Sequence, residues 1–292
     1  MDIQVRLARP EDRQAVFDFC SRIDDGHDYI PQVWEEWLAD PRGVLLVATI
    51  DDVPVAVVRG AFYFPGEAWL EGMRVSPDHR QQGIATTLFK ALVEAVTARG
   101  ARVARLTTAY DNLPVHRMCA HLGFHLATRL RRRVRAVEAG TRPEAVRRLD
   151  AQALPEVRAF LARSSFLTAS GGLYSWGGGV WSTWNEERLQ LHLEQGQVWG
   201  WWEKGRLRAV AIRCPHRRRP GLTEVGLIEG SARACSELLV ALAHEEEPAE
   251  GAQVRLFLPL EATRLHRAAA AAGYRFLSDW RGEMWVFERR LA

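Results

Sequence analysis

The sequence predicts a mixed α/β fold built from two consecutive copies of one unit. The chain has 292 residues, about twice the usual length of a domain, so two domains are expected. Near the end of each half stands the pattern His-Arg-x-x-Ala-x-x-Gly-aromatic, which begins at His116 and again at His266. This pattern indicates a helix that is stopped by glycine and followed by a strand. We therefore place the copies at residues 1–138 and 139–292.

The order of the predicted elements is the same in the two copies. Hydrophobic periodicity in the first copy predicts strands 44–50, 53–63 and 67–75, helix 83–99, strand 102–108, helix 112–122 and a final strand pair from 124 to 137. The second copy predicts strands 197–203, 206–213 and 222–228, helix 231–246, strand 252–258 and helix 260–272. Each copy is thus expected to be a mixed sheet with helices packed on it.

The composition predicts a soluble, cytosolic protein with no membrane partner. Hydrophobic residues make up 47% of the chain and charged residues 26%, and no run approaches the roughly 18 apolar residues of a membrane span. The first residues lack the apolar core of a signal peptide and already have the pattern of a strand.

Charge and cysteine spacing argue against nucleic-acid binding and against a metal site. The net charge of +3 is too small to imply a nucleic-acid partner. Arginines 217–219 lie in a predicted turn, where solvated charge is expected. Arginines 131–133 extend a late strand, and they either face solvent or add positive potential near an anionic ligand. The four cysteines are far apart and include no Cys-x-x-Cys pair, so we expect neither zinc nor disulfides.

The most informative segment, residues 70–86, joins a predicted strand to a predicted helix. The strand ends at Pro77, the loop carries Arg80 and Gly83, and the helix then begins with its free N–H groups directed at the loop. Such a loop suits a phosphate, because glycine admits close approach and the helix dipole favours negative charge. A loop of this shape by itself is more often structural.

This segment resembles the acetyl-CoA signature of the GCN5-related N-acetyltransferase (GNAT) superfamily, Arg/Gln-x-x-Gly-x-Gly/Ala. The signature reads Arg80 to Ala85 here and follows a Val-x-Pro at Val75. A second superfamily element, Asn followed eleven residues later by Gly-Phe, is matched by Asn112 and Gly123. The resemblance covers residues 3–137.

The resemblance implies a GNAT fold in both copies, with acetyl-CoA as co-substrate. It implies that the backbone of Met73 and Val75 pairs with the pantetheine arm and that Asn112 contacts the cofactor further along. The pyrophosphate would be held by the loop and the first helical turn, namely by Arg80, Gln81, Gln82, Gly83, Ile84, Ala85 and Thr86.

Two positions depart from the superfamily pattern. Gln81 stands where many members have glycine, and we expect the loop to tolerate it with a negative φ. Cys119 stands where the superfamily often has the tyrosine thought to protonate the departing thiolate. Protonating a thiolate of pKa about 8.5 needs only roughly 2 kcal/mol of assistance at pH 7. Water, Tyr110 or Cys119 is therefore a candidate for the acid.

Glu71 is the best candidate for the general base, because it lies on the strand that should hold the acyl arm. Removing a proton from an α-amine of pKa about 8 costs roughly 1.4 kcal/mol at pH 7, against roughly 4.6 for a lysine amine. One carboxylate acting through water suffices to deprotonate an α-amine. The alternative is that Glu71 is a solvent-facing strand residue without a catalytic role.

The stretches Asp28–Pro41 and Leu70–Pro77 look like the histidine N-acetyltransferase family of vertebrates, which acetylates the α-amine of free histidine. In the superfamily, the region between the first helices borders the acceptor pocket, which makes Tyr29 and Trp34 candidate substrate contacts. Two tryptophans three residues apart share a helix face, and core packing is the usual reason. Arg74 is the candidate partner for an acceptor carboxylate, or it points to solvent on the other face of the sheet.

The sequence therefore predicts an N-acetyltransferase whose partner is a small-molecule primary amine, such as a free amino acid. An amino-sugar or antibiotic acetyltransferase is the nearest enzymatic alternative. Such acetyltransferases are also known among the tandem members of the superfamily, for example mycothiol synthase. A non-catalytic sensor that binds acyl-CoA is a second alternative.

The second copy is predicted to be degenerate. Residues 229–234, Glu-Gly-Ser-Ala-Arg-Ala, stand where the phosphate loop should recur, so this copy should bind coenzyme A poorly and complete the acceptor pocket instead. The Gly/Trp-rich segment 171–184 is expected to be too flexible for a strand and to act as a lid or an inter-domain plug.

Overall fold

The structure, a computed structural model, describes residues 2–276 and 282–292. The chain divides into two compact units, neither of which is one continuous stretch. The first unit comprises Met1–Leu106, Pro114–His125 and Phe287–Ala292, and the second comprises Thr107–Leu113 and Leu126–Val286. A single division of the chain after residue 138 remains a prediction.

The first part of the chain forms a mixed sheet with helices. Its elements are β1 Gln4–Leu7, α1 Arg13–Cys20, α2 Ile30–Ala39, β2 Gly43–Ile50, β3 Val53–Phe64, β4 Glu67–Val75, α3 Ile84–Ala98, β5 Val103–Ala109 and α4 Leu113–His121. The strand order is β1-β2-β3-β4-β5, antiparallel up to β4, with β5 parallel to β4. The predicted turn between β2 and β3 is confirmed, since Asp51 and Asp52 both have positive φ, as a two-residue hairpin requires.

Helices cover both faces of this sheet. Helices α1 and α2 bury Trp34 and Trp37 in a cluster that includes Val57 of β3. Helix α3 lies over Gly60 of β3, where an added Cβ would come within 2.6 Å of Val96. The glycine therefore allows the helix to approach the strand closely, and the sheet is fixed between two helical layers.

The rest of the chain contains the end of the first copy and then the second copy. Its elements are β6 His125–Ala136, β7 Glu138–Ala139, β8 Val146–Arg148, α5 Leu154–Leu161, α6 Ser165–Ala169, β9 Leu173–Gly177, β10 Val180–Thr183, α7 Glu186–Glu194, β11 Val198–Glu203, β12 Arg206–Pro215, β13 Leu222–Gly230, α8 Ala232–Leu242, β14 His244–Glu245, β15 Gln253–Pro259, α9 Thr263–Ala271, β16 Arg275–Phe276 and β17 Glu283–Arg290. The second unit has the strand order β6-β15-β13-β12-β11-β8, and β15 is parallel to β13 as β5 is to β4. The predicted strand pair at 124–137 is in fact the single strand β6.

The Gly/Trp-rich segment 171–184 was wrongly predicted to be too flexible for a strand. Strands β9 and β10 form an antiparallel hairpin within the second unit, and Gly178 and Gly179 at its turn both have positive φ. The hairpin packs directly on β13, because a Cβ at Gly226 would lie 2.0 Å from the carbonyl oxygen of Ser175. Two of its aromatic residues are core: Tyr174 is fully buried, and the buried Trp181 packs against Phe257.

Across the described parts of the chain, every helix is too short or too polar to cross a membrane.

Candidate functional site

The predicted phosphate loop leads into a helix whose amino end is uncapped. Gly83 is the N-cap of α3 with φ +79°, and no side chain accepts a hydrogen bond from the first turn. A Cβ added at Gly83 would meet nothing within 4 Å, so the space beside this residue is open. Unpaired N–H groups at a helix start, together with the helix dipole, form a site for an anion. The fold thus brings Gln82, Ile84, Ala85 and Thr86 to one helix terminus.

Gln81 has a φ of +61°, and the expected negative φ was wrong. The left-handed conformation costs a residue with a side chain on the order of 1 kcal/mol. It reverses the chain between the extended Arg80 and Gly83. The other end of the loop is held by Arg22, which donates to Ser76 at 3.3 Å and pairs with Asp78 at 2.8 Å.

Strand β4 contains a bulge next to the proposed acyl-arm residues. Glu71 lies opposite Arg59 of β3 and Arg74 lies opposite Val57, so Gly72 and Met73 together face one residue. Gly72 has a φ of +73°, and a Cβ there would lie 2.7 Å from the ring of Trp37. Only glycine therefore suits this position without rearrangement of α2.

The ladder between β4 and β5 joins Glu67, Ala68 and Trp69 to their partners on β5. Met73 and Val75 lie beyond these paired positions. Their location is compatible with hydrogen bonds from their backbone to the pantetheine arm. These hydrogen bonds stay a prediction.

The carboxylate of Glu71 lies in a buried ion-pair network. Arg59 donates from Nη1 to Glu71 at 2.7 Å and from Nη2 to Asp40 at 2.5 Å. The Tyr63 hydroxyl lies 3.4 Å from the same Glu71 oxygen. The Glu71 side chain is 10% exposed, so the alternative of a solvent-facing strand residue is wrong. Its role as the base stays a prediction.

Arg74 is engaged by the loop before α2. Its Nε donates to Asp28, whose other oxygen accepts from the Ile30 amide at 2.9 Å. The guanidinium also lies over the Tyr29 ring, 5.3 Å from its centroid. Arg74 and Tyr29, the two residues predicted to contact the substrate, therefore lie together. The charge of Arg74 is, however, already paired with the buried carboxylate of Asp28. The alternative that Arg74 points to solvent is wrong.

Two of the other three predicted residues lie in less favourable surroundings. Trp34 is fully buried against Phe17 in the core, and this packing argues against its predicted contact with an acceptor. Cys119 is fully buried, and burial raises the pKa of its thiol to about 12, which makes it a weak acid. Tyr110 is 47% exposed.

Asn112 donates to Thr108 at 2.9 Å and therefore has an internal partner in the structure. Tyr110 and Asn112 both belong to the segment Thr107–Leu113 of the second unit. Their predicted roles stay predictions.

Sequence reasoning missed Asp40 and Arg59. A signal for Arg59 was available, since it interrupts the apolar run Val-Ala-Val-Val-Arg-Gly of β3. An arginine in a buried strand must be paired, because burying an isolated charge is costly. The identity of its partners could not be read from the sequence, because they lie 19 and 12 residues away on other elements.

Residues 12–124 match the family model described as the Acetyltransferase (GNAT) family. This part of the chain is therefore similar to members of the GNAT family. A histidine N-acetyltransferase of Oreochromis niloticus is 31% identical over 108 residues, which are 36% of this chain and 32% of that protein. A histidine N-acetyltransferase of Scomber australasicus is 29% identical over 108 residues, with the same coverage. The match thus spans about a third of the length of these curated relatives.

Solved structures show the fold of the whole chain. A GCN5-related N-acetyltransferase from Sphaerobacter thermophilus aligns with 99% of this chain and 95% of its own, with a TM-score of 0.64 at 14% identity. A tandem GNAT protein from the clavulanic acid biosynthesis pathway aligns with 99% and 98%, with a TM-score of 0.55 at 11% identity. The tandem GNAT fold predicted from the sequence is confirmed.

Proposed function

We propose that the protein is an N-acetyltransferase that transfers the acetyl group of acetyl-CoA directly to a primary amine of a small molecule. The observation that carries this proposal is the uncapped amino end of α3 with open space beside Gly83, within the segment that matches the GNAT family model. Its neighbour β4 bears Glu71 and a bulge at Gly72, which supports assigning the transfer to this strand.

The residues present fit acetyl-CoA, which supplies the activated acyl group as a thioester. The amides of the first turn of α3 would hold the pyrophosphate, and Arg80 adds positive charge beside them. Met73 and Val75 would direct backbone groups at the arm and polarise the reacting carbonyl. An aspartate or a large side chain at Gly83 would fill the space that the phosphate needs.

Glu71 accepts a proton from the incoming amine in this mechanism. Its carboxylate oxygen Oε1 accepts a hydrogen bond from the guanidinium of Arg59 at 2.7 Å, which holds the group in place. Because the Glu71 side chain is mostly buried, a water molecule relays the proton between amine and carboxylate. The task is modest for an α-amine, at roughly 1.4 kcal/mol at pH 7.

The departing thiolate takes its proton from water or from Tyr110 rather than from Cys119. The Cys119 thiol has a pKa of about 12, and a free thiol has a pKa of about 8.5. Proton transfer from the first to the second is uphill by roughly 5 kcal/mol. A solvent proton is therefore the better source.

The acceptor is proposed to be a free amino acid such as histidine, on the similarity to the histidine N-acetyltransferases. One observation favours a second candidate, a cationic amino sugar. The α2 side of β4 carries the carboxylates of Asp28, Asp40 and Glu71 against the guanidinium groups of Arg59 and Arg74. This set has one negative charge in excess, and an acceptor carboxylate would have to compete with Asp28 for Arg74.

The test is a screen for thiol release from acetyl-CoA with histidine, histamine, polyamines and aminoglycosides as acceptors. Turnover of any of these amines supports the proposed transfer. Binding of acetyl-CoA without turnover of any amine would replace it with an acyl-CoA sensor.

Arg74→Ala then separates the two acceptor classes. If Arg74 binds a carboxylate, the variant raises the KM for histidine about ten- to a hundred-fold and leaves histamine almost unchanged, because a bidentate charged pair contributes on the order of 1.5 to 3 kcal/mol. Equal effects on the two amines would exclude Arg74 as the partner of the acceptor carboxylate, and a preference of the native protein for aminoglycosides would exclude histidine. Both outcomes leave the acetyltransferase proposal intact.

A further inference from the structure

A buried arginine connects the carboxyl end of α2 with the strand that carries Glu71. The Arg59 side chain is 3% exposed, and its two terminal nitrogens each bind a different carboxylate, those of Asp40 and Glu71. The guanidinium lies 5.1 Å from the centre of the Trp37 ring. Three elements of the first unit therefore meet at one side chain.

The surroundings fix Arg59 in one orientation. A Cβ at Gly43 on the adjacent strand would lie 3.2 Å from Nε of Arg59, so glycine leaves room for the guanidinium. The Trp37 ring contributes a further contact of the cation–π type. A planar guanidinium held in this way presents its donors in a fixed geometry, which a flexible lysine could not reproduce.

Stability is a poor explanation for such an arrangement. A buried ion pair repays its desolvation only partly, and well-packed apolar residues of similar volume are often as stable or more so. What the network does provide is a fixed position for one oxygen of Glu71. Since one guanidinium is shared by two carboxylates, the set of three side chains also keeps one net negative charge.

We propose that Arg59 is a positioning residue for Glu71 and that Asp40 holds Arg59 in place. This inference rests on the proposed function, in which Glu71 takes the proton of the amine. Arg59 fixes the carboxylate oxygen Oε1 and so sets the direction in which the group faces the acceptor. Asp40 prevents the guanidinium from turning fully toward Glu71 and neutralising it.

The experiment is a double-mutant cycle on kcat with Arg59→Met, Glu71→Gln and the combined variant, using any amine that the native protein acetylates. We expect Arg59→Met to lower kcat about ten- to a hundred-fold, since misplacement of a reacting group by about 1 Å has effects of that size. The dissociation constant for acetyl-CoA should stay within about twofold. Gly60, next to Arg59, lies against Val96 near the carboxyl end of α3, whereas the amides that would bind the cofactor are at its amino end. In the Glu71→Gln background, Arg59→Met should cause no further loss.

Arg105 offers a matched control. It is 6% exposed and likewise bridges two carboxylates, those of Glu67 at 2.8 Å and Glu288 at 2.6 Å, within the first unit. Arg105→Met removes the same kind of buried bridge without touching Glu71. It should lower the melting temperature about as much as Arg59→Met and leave kcat unchanged.

The outcomes separate the inference from the proposed function. Losses that multiply in the combined variant, or an equal loss of kcat in Arg105→Met, would show that Arg59 is only structural. If Arg59→Met does not fold, Arg59→Lys decides: a kcat about tenfold lower with unchanged acetyl-CoA binding supports positioning, and a native kcat overturns it. A native kcat in Glu71→Gln alone contradicts the base assignment, and with it this inference, before Arg59 is changed.

Discussion

The helix that follows the central strand begins differently in the two copies of the fold. In the first copy, α3 begins at Gly83 without a side-chain cap and with open space in front of it. In the second copy, the Ser231 hydroxyl accepts a hydrogen bond from the Ala234 amide and caps α8. Gly230 before it is tightly packed, since a Cβ there would lie 2.4 Å from the carbonyl of Arg208. One helix start has no side-chain cap, and the other satisfies a donor within the protein.

The strands before these helices differ in the same sense. Strands β4 and β13 each have nine residues, and the fifth is Glu71 in one and Gly226 in the other. Glu71 lies in an ion-pair network, whereas Gly226 leaves space for the hairpin of β9 and β10. The second copy has thus filled with its own backbone a strand position that the first copy uses for a carboxylate. The two copies thus share a fold and differ in the contacts of their central strands.

The largest difference between the two helix starts should be seen in acetyl-CoA binding. Calorimetry should give one site per chain. Gly83→Asp should weaken binding about a hundredfold or more, because the carboxylate opposes the pyrophosphate and displaces it from charge-assisted hydrogen bonds of roughly 1.5 to 3 kcal/mol each. Ser231→Asp is the matched change at α8 and should leave affinity unchanged. Two equivalent sites, or native affinity in Gly83→Asp, would contradict this assignment.

The difference between the strands should appear in turnover. Glu71→Gln should lower kcat about a hundredfold at pH 7, the usual order for loss of a general base, with little change in the KM for acetyl-CoA. The deficit should shrink as pH rises toward the pKa of the acceptor amine, because a base is needed only while the amine is protonated. A pH-independent loss would make Glu71 a positioning residue instead.

Acid should destabilise the second unit through a buried histidine. His192 contacts Tyr174 and Gln197, and burial lowers its pKa to about 4. The unfolded chain, with a histidine pKa of about 6.5, binds more protons between these values, so stability falls as pH drops from about 6.5 to 4, by roughly 3 kcal/mol in all. Urea unfolding at pH 7 and pH 5 measures this loss. His192→Gln should reduce the pH dependence, and a change at the exposed His27 should not.

The smallest expected effect concerns backbone strain in the phosphate loop. Gln81→Gly should raise the free energy of unfolding by a few tenths to about 1 kcal/mol, because glycine adopts a φ of +61° without the side-chain clash but gains freedom when unfolded. Lys204→Gly, at a positive φ in the turn of the second copy, should give a similar gain. Acetyl-CoA affinity should stay native in both variants. A loss of affinity in Gln81→Gly alone would show that the glutamine side chain itself binds the cofactor.

Local patterns in the sequence were sufficient for the fold. The helix predicted at 83–99 is observed at Ile84–Ala98, and the strand predicted at 222–228 is observed at Leu222–Gly230. Period and capping signals act over a few residues and can be read without knowing the neighbours. The prediction for segment 171–184 was wrong because its glycines indicate flexibility in an isolated chain. Packing on β13 orders them in the folded protein.

The sequence by itself determined the duplicated architecture and the position of the loop before α3, since both depend on residues close together in the chain. Only the tertiary structure decided the surroundings of the predicted site residues. It paired Arg74 with Asp28, placed Trp34 in the core, and joined Glu71 to Asp40 through Arg59. These contacts join residues on different elements, and strand register and helix packing, rather than sequence spacing, set which side chains meet.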